Sequence, residues 1–575
     1  MRTIARRLVP CVALALALAG CKHRDPNAPL AFVPADTPYV FANADPLPEA
    51  VLQAYEQHMP TLWKAQFGGF GQLADALREK DPDTARALDA VGAEIGNLDT
   101  PQKWRQAGVD TRGHYAFYGV GLAPVARVEL ADAAAFRALV GRIEQRMGRK
   151  LAVGTLDGQS YWQLGGDSHL RVLLAIERDK QLVATLVPAQ LDAPTLREVL
   201  GLQRPAKSLA DAGTLEDLAD ARGYKPNGAG YVDTARLLAR LGDPRDVLTR
   251  AYAQALGLGA PSADPACPAE FASVAAKAPR LSMGYAEISA QRIDQRIDAD
   301  LAPPLVAALQ KLRQPVPGMG STTSDGLVDI ALALPMLKLR EFWIAQADAV
   351  AAQPFRCPTL QPLNAGFAAL RQGLDRLAVP PLANVLGLRL TLARLDLGGA
   401  TPAPAALAPA TPMPQFGARL LVASDNPAGL FGMAKMAVPG LRDFRLAADG
   451  KPVALPSGGV PGANGPLYAA MDAHALALGN GVDAMAALPA YLGAPGGDGA
   501  ALVRMSFDGR FYSALATLMQ RLSAAQQAPT APAQRAQLER QRQLFAMYAQ
   551  WIRRGDAQLE LNAHGLRLRS TTTLN

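Results

Sequence analysis

The chain has 575 residues, 49% of them hydrophobic and only 19% charged, which is enough apolar material to bury large cores and excludes a disordered polymer. Its net charge of +7 and pI near 9.2 overstate its basicity. Without Arg2, Arg6 and Arg7 there remain 55 basic against 51 acidic residues, a net charge of +4, too small at this length to argue for a nucleic-acid partner.

Those three arginines precede an apolar run, Leu8 to Leu18, and the small residues Ala19 and Gly20. This is the layout of an export signal covering residues 1–20. The run is too short to span a bilayer, which takes about 20 apolar residues. Its end, Leu18-Ala19-Gly20-Cys21, resembles the lipobox of bacterial lipoproteins. The resemblance implies cleavage before Cys21, a diacylglycerol on its thiol and a further acyl chain, such as palmitate, on its amine. Two or more chains make a permanent anchor. Lys22, where an Asp would retain a lipoprotein in the inner membrane, implies the outer membrane, on its periplasmic face. Residues 21–34 then read as a tether, whose extended length of about 45 Å keeps the folded body near the membrane.

In chain order, Tyr39 to Ala42 reads as a strand and Leu47 to Gly108 as helical. His114 to Val120 and Val125 to Leu130 read as a hairpin, followed by a helix capped by Asp132. Further hairpins are expected at Asp157-Gly158 and at Arg178-Asp179. A helix from Leu191 to Leu200, a strand-to-helix step at Gly230 to Leu241, a helix containing Phe271 and a closing hairpin, Leu281 to Ile288 and Arg292 to Asp298, complete this part. Arg292, Asp294, Arg296 and Asp298 alternate with Ile293, Gln295 and Ile297, so the charged side of that strand is expected to face water.

The order then recurs. Leu388 to Leu397 and Ala418 to Ala423 form the first hairpin again, with Asp425 as the next cap. Tyr468 to Met471 and Ala475 to Leu478 form the middle one, and Asp483 to Leu492 is the helix that matches Asp192 to Leu200. Val503 to Leu522 is the strand-to-helix step, and Gln558 to Leu561 with Leu566 to Ser570 the last hairpin. The fold class expected is α+β: two related modules, 35–313 and 326–575, each an antiparallel sheet with helices packed on it, joined by a Pro/Gly linker at 314–325. The Ala/Pro-rich stretch Gly398 to Pro414 is a loop inserted in the second copy. Gln534 to Arg554, stopped by Gly555, reads as a basic amphipathic helix that either covers a sheet or lies on lipid.

Once Cys11 leaves with the signal and Cys21 is acylated, Cys267 and Cys357 remain, and in an oxidising compartment they are expected to form a disulfide. No metal or cofactor is expected, because neither cysteine has a CxxC partner and the histidines His23, His58, His114, His169, His474 and His564 are scattered. No catalytic residue is assigned. Asp167-Ser168-His169 would point to opposite faces of a strand, no nucleophile elbow is present, and Gly119-Val120-Gly121, Gly228-Ala229-Gly230 and Gly479-Asn480-Gly481 continue to no phosphate loop.

The run Gly108-Val109-Asp110, Gly119-Val120-Gly121, Pro124 to Val128, Asp132 and Phe136 to Leu139 resembles a family of bacterial envelope lipoproteins that open with a PADTPYVF-like strand. That family carries no assigned activity and implies the address and the α+β fold alone. The expected function is a non-catalytic binding or scaffold protein of the envelope, with membrane contact through Cys21 and envelope proteins as partners. The alternatives are a carrier or chaperone for a lipid or exported hydrophobic segment, which requires an apolar ligand site, and an enzyme.

Overall fold

The computed structural model describes residues 27–575 except 68, 80, 165–169, 258–261, 322–323, 325, 377–381, 397–414, 457–465, 482 and 526–531. The signal, Cys21 and its lipobox, His23, the Asp167-Ser168-His169 triplet and the Gly398 to Pro414 insertion lie outside the described residues.

Strands and helices are interspersed along the described residues, with five successive helices between the first two strands. The strands up to residue 300 are β1 (Tyr39–Ala42), β2 (Tyr115–Val120), β3 (Ala123–Glu129), β4 (Ala152–Leu156), β5 (Gln159–Leu164), β6 (Leu170–Glu177), β7 (Gln181–Pro188), β8 (Ala229–Asp233), β9 (Arg280–Ile288) and β10 (Arg292–Asp300). Those that follow are β11 (Val328–Ala333), β12 (Val385–Asp396), β13 (Gln415–Ser424), β14 (Val453–Ala454), β15 (Leu467–Met471), β16 (Ala475–Asn480), β17 (Ala501–Asp508), β18 (Ile552–Leu561) and β19 (Gly565–Leu574).

These strands form one continuous antiparallel sheet where two separate sheets were expected. The joint is β10 against β19, paired from Arg292 opposite Thr573 to Asp300 opposite Gly565. Outward from that joint the first half runs β10, β9, β8, β1, β2, β3, β7, β6. The second half runs β19, β18, β17, β11, β12, β13, β16, β15. Strand for strand, the order is the same. β5 and β4 extend the first half, and the short β14 ends the second.

Local chemistry accounts for the turns and caps. Asp157 and Gly158 have φ of 51° and 81°, and Arg178 and Asp179 have 49° and 55°. Two successive left-handed residues match the twist of a tight hairpin. Asp132 accepts the N–H groups of Ala134 and Ala135 to start the helix Ala133–Met147, which Gly148 ends at φ 70°. In the second half the cap is Asn426, not Asp425: Asn426 accepts the Gly429 N–H and opens Pro427–Ala437. The helix expected to reach Arg554 ends at Trp551, and Ile552 begins β18 at once, with Gly555 inside that strand opposite Thr572. The sheet pairing of β17 with β18 captures the backbone that helix periodicity would have extended.

Each half has one principal cluster of buried apolar residues against the sheet, with smaller clusters beside it. The first gathers Val40, Ala42, Tyr118, Val125, Val183 and Tyr231 under Val199, Leu200, Leu209 and Leu215. The second gathers Ala331, Leu421, Ala475 and Ala477 under Leu488, Tyr491 and Leu492. Two segments read as connections are part of these cores. Val33, from the tether, is fully buried in the first, and Val316 and Met319, from the Pro/Gly stretch, are buried in the second.

Candidate functional site

Because side chains alternate across a strand, the registers define two faces of the sheet. On one of them a single row of residues runs across thirteen strands. In the second half it comprises Val422, Leu388, Leu332, Val503, Leu559 and Leu568. It continues in the first half through Ile297, Met283, Gly230, Phe41, Phe117, Ala126 and Ala184. Every member is apolar, and at about 4.8 Å per strand the row spans about 58 Å.

This face is not the buried one. Apart from Gly230, each residue of the row is partly exposed or exposed. Phe117 is 47% exposed, and the same face of the sheet also carries Leu186 at 38% in the first half and Leu390 at 49%, Phe416 at 46% and Leu420 at 36% in the second. Contiguous apolar surface on this scale marks a binding surface in a folded protein.

The covered face carries the charges. The parallel row there contains Arg389, Arg504, Arg569, Arg296 and Arg127. Asp329, with no exposed surface, accepts two bonds from Arg389 at 3.0 Å, one from Arg504 at 2.9 Å and one from the Thr391 hydroxyl at 2.8 Å. Burial alone would raise its carboxyl, but these donors outweigh that and hold it below the ordinary aspartate range. The Thr391 and Tyr491 hydroxyls lie 2.9 Å apart, and the Arg389 guanidinium sits 4.3 Å from the Tyr491 ring. In the first half Arg127 is fully buried, bonds Glu177 and Gln181 at 2.6 Å each, and stacks 3.8 Å from the Phe32 ring.

The charged side of β10 therefore does not face water, contrary to its alternation. Asp298 is 1% and Asp294 8% exposed. Asp298 accepts from Tyr224 and from Arg567, both at 2.6 Å, and Asp294 from Thr571 at 3.2 Å. The alternation correctly separates two faces, but the isoleucine side is the more open one. The neighbouring strand β19 and the segment ending at Tyr224 supply the partners that make buried carboxylates tolerable.

Helices stand at both ends of the strands, and each end is fastened across the two halves. At one end Cys267, in helix Ala266–Lys277, forms a disulfide with Cys357, their Cα atoms 4.7 Å apart. Glu270 accepts the Arg356 and Cys357 N–H groups beside it at 2.8 and 3.0 Å. At the other end Trp551 stacks on His58 at 4.7 Å and meets Tyr55 edge-on at 5.4 Å. Phe545 and Tyr548 of the basic helix pack on Tyr512, 6.4 and 5.3 Å away. Tyr55 and Tyr115, both half-buried beside Tyr285, are pushed by burial up to about 12.

The four described histidines do not assemble. His58 stacks on Trp551, His114 faces Glu129 at 3.1 Å, and the backbones of His474 and His564 lie in turns capped by Asp472 and Asn562. Among the described residues no group of three or more His, Cys, Asp or Glu is placed to hold a metal ion, and no helix is long and apolar enough to cross a membrane. Reading each strand singly missed the open face. The signal was present as the apolar alternate positions of β12, β13 and β17, but which face is covered depends on where the helices pack. Comparison with protein families, with curated proteins and with solved structures finds no match to this chain.

Proposed function

We propose that this chain is a lipid-anchored, non-catalytic protein of the cell envelope that carries an apolar ligand, a lipid or an exported hydrophobic segment, on the open face of its sheet. The observation that carries the reading is the apolar row from Val422 to Ala184, partly exposed across both halves while arginines and aspartates are buried behind it. A fold that places its charges under cover and its leucines in the open retains an apolar surface for something else to bury. Cys21 supplies the anchor, and Lys22 the outer-membrane address, on the periplasmic face. The two halves are read as copies of one α+β module, supported by their common strand order.

The test is native mass spectrometry of the protein extracted gently from its own envelope. A stoichiometric lipid or apolar segment, lost on Leu390→Asp with Leu420→Asp, supports the carrier reading. No ligand on either protein sinks it, and an unmodified Cys21 sinks the address.

A scaffold reading has one observation of its own. Helices Met336–Ala352 and Pro362–Arg376 expose Leu337, Trp343, Leu363 and Leu370 by 37 to 48%, and Leu337 and Trp343 line an apolar cavity of about 170 Å³ together with Leu339 and Leu374. A protein partner held at fixed ratio through Trp343 would favour this reading.

A further inference from the structure

We propose that the corner of the fold around Asn27 is the surface that lies against the bilayer, and that Arg178, Lys180, Arg204 and Lys207 there bind the phosphates of anionic phospholipid headgroups. The proposal rests on the reading of Cys21 as the lipidated residue. Asn27 is pinned to the first half. Its side-chain oxygen accepts from Arg178 at 3.1 Å and from Arg204 at 3.2 Å, and its backbone carbonyl accepts from Gln181. Five residues lie between Cys21 and Asn27, and the six steps from one to the other cannot reach more than about 22 Å even when fully extended. Whatever else the body does, this corner stays within that distance of the anchor.

The charge at the corner suits such a neighbour. Arg178, Lys180, Arg204 and Lys207 are all exposed, the Arg178 side chain by 65%. The acids among them are already engaged: Glu177 is held by the buried Arg127 at 2.6 Å, and Asp179 by Arg137. A recess of about 130 Å³ bounded by Asn27, Phe32, Glu177, Arg178, Lys180 and Gln181 opens beside two of these cations, giving a headgroup oxygen access to Arg178 and Lys180, while the Glu177 carboxylate on its wall is neutralised by Arg127. Attraction of basic side chains to an anionic leaflet acts within about 10 Å at 0.1 M salt, and the short tether holds the corner to within about twice that distance of the anchor.

The test uses the chain from residue 21 onward with Cys21→Ser, so that no acyl chain contributes, in sedimentation with vesicles. The expected result is binding to phosphatidylcholine vesicles containing phosphatidylglycerol, none to phosphatidylcholine alone, and loss of binding at high salt. Lys180→Glu with Lys207→Glu, two side chains that do not hold Asn27, is expected to weaken binding about tenfold or more with an unchanged thermal melt. Equal binding to both vesicles, or charge reversal without effect, overturns the proposal. Neither result bears on whether Cys21 of the native protein is acylated, which mass spectrometry decides separately.

Discussion

Asp298 of β10 and Arg567 of β19 meet at 2.6 Å across the strand pair that joins the two halves, 269 residues apart in the chain. Tyr224 donates to the same carboxylate at 2.6 Å, so a residue from each half holds it. Removing a buried carboxylate strands its partners, at a cost of about 3 to 5 kcal/mol where both charges are fully buried. Arg567 is 23% exposed, which reduces that, so Asp298→Ala is expected to destabilise by about 2 to 4 kcal/mol. The shift in urea midpoint at constant m-value measures it. A change below about 0.5 kcal/mol would mean that the backbone pairing alone holds the joint.

The open face predicts an asymmetry between adjacent residues. Leu420 is 36% exposed and Leu421 is fully buried. Leu421→Ala should cost about 2 to 5 kcal/mol in unfolding experiments and leave the binding of an apolar fluorescent probe intact. Leu420→Asp with Leu390→Asp should leave stability within about 1 kcal/mol and reduce probe binding severalfold. Equal stability losses from both variants would show that the exposed leucines are covered in solution.

The disulfide closes a loop of 90 residues, tying the helix Ala266–Lys277 of the first half to the connection between helices Met336–Ala352 and Pro362–Arg376 of the second. Replacing Cys267 and Cys357 by serine should lower stability by about 2 to 5 kcal/mol. Reduction of the wild-type protein should reproduce that loss, and reductant should not affect the variant.

Acid sensitivity follows from two groups. Asp329 titrates below its unfolded value in the folded protein, where Arg389, Thr391 and Arg504 outweigh the effect of burial. Its contribution is therefore complete above about pH 4 and is lost as the pH falls further, through the depressed native pKa. Asp329→Asn should lower stability at neutral pH and flatten the decline below pH 4.

Burial lowers the pKa of His58 against Trp551. The unfolded chain then takes up the proton more readily than the native one. Stability from this contact is present above about pH 6.5 and lost as the pH falls through the lowered native value. His58→Phe should remove that part of the pH dependence, read in unfolding midpoints between pH 7 and pH 5. An unchanged profile would exclude His58 as its source.

Most elements were legible because each declares itself locally. Asp157-Gly158 needs only its own backbone freedom to turn, and Asp132 needs only the next turn of helix to cap it. Asn426 was misread because its neighbour Asp425 is an equally good cap by type, and only the path of the chain out of β13 chooses between them. The end of the helix at Trp551 was misread because Arg553 and Arg554 continue its polar pattern, while Ile552 is paired with β19 and Arg554 with both β17 and β19.

By itself, the sequence determined the alternation that gives each strand an apolar and a polar or small side, the order of elements in the two halves, and the two cysteines available to pair. These depend on neighbours a few residues apart or on simple counting. The tertiary structure decided that β10 and β19 fuse the halves into one sheet, that Cys267 reaches Cys357, and that Asp329, Asp298 and Arg127 are the covered side while Leu390, Leu420 and Phe117 are the open one. The physical reason is that a strand's pattern separates its two faces without saying which of them the helices will cover. A buried charge is affordable only where another part of the chain, hundreds of residues away, brings its partner.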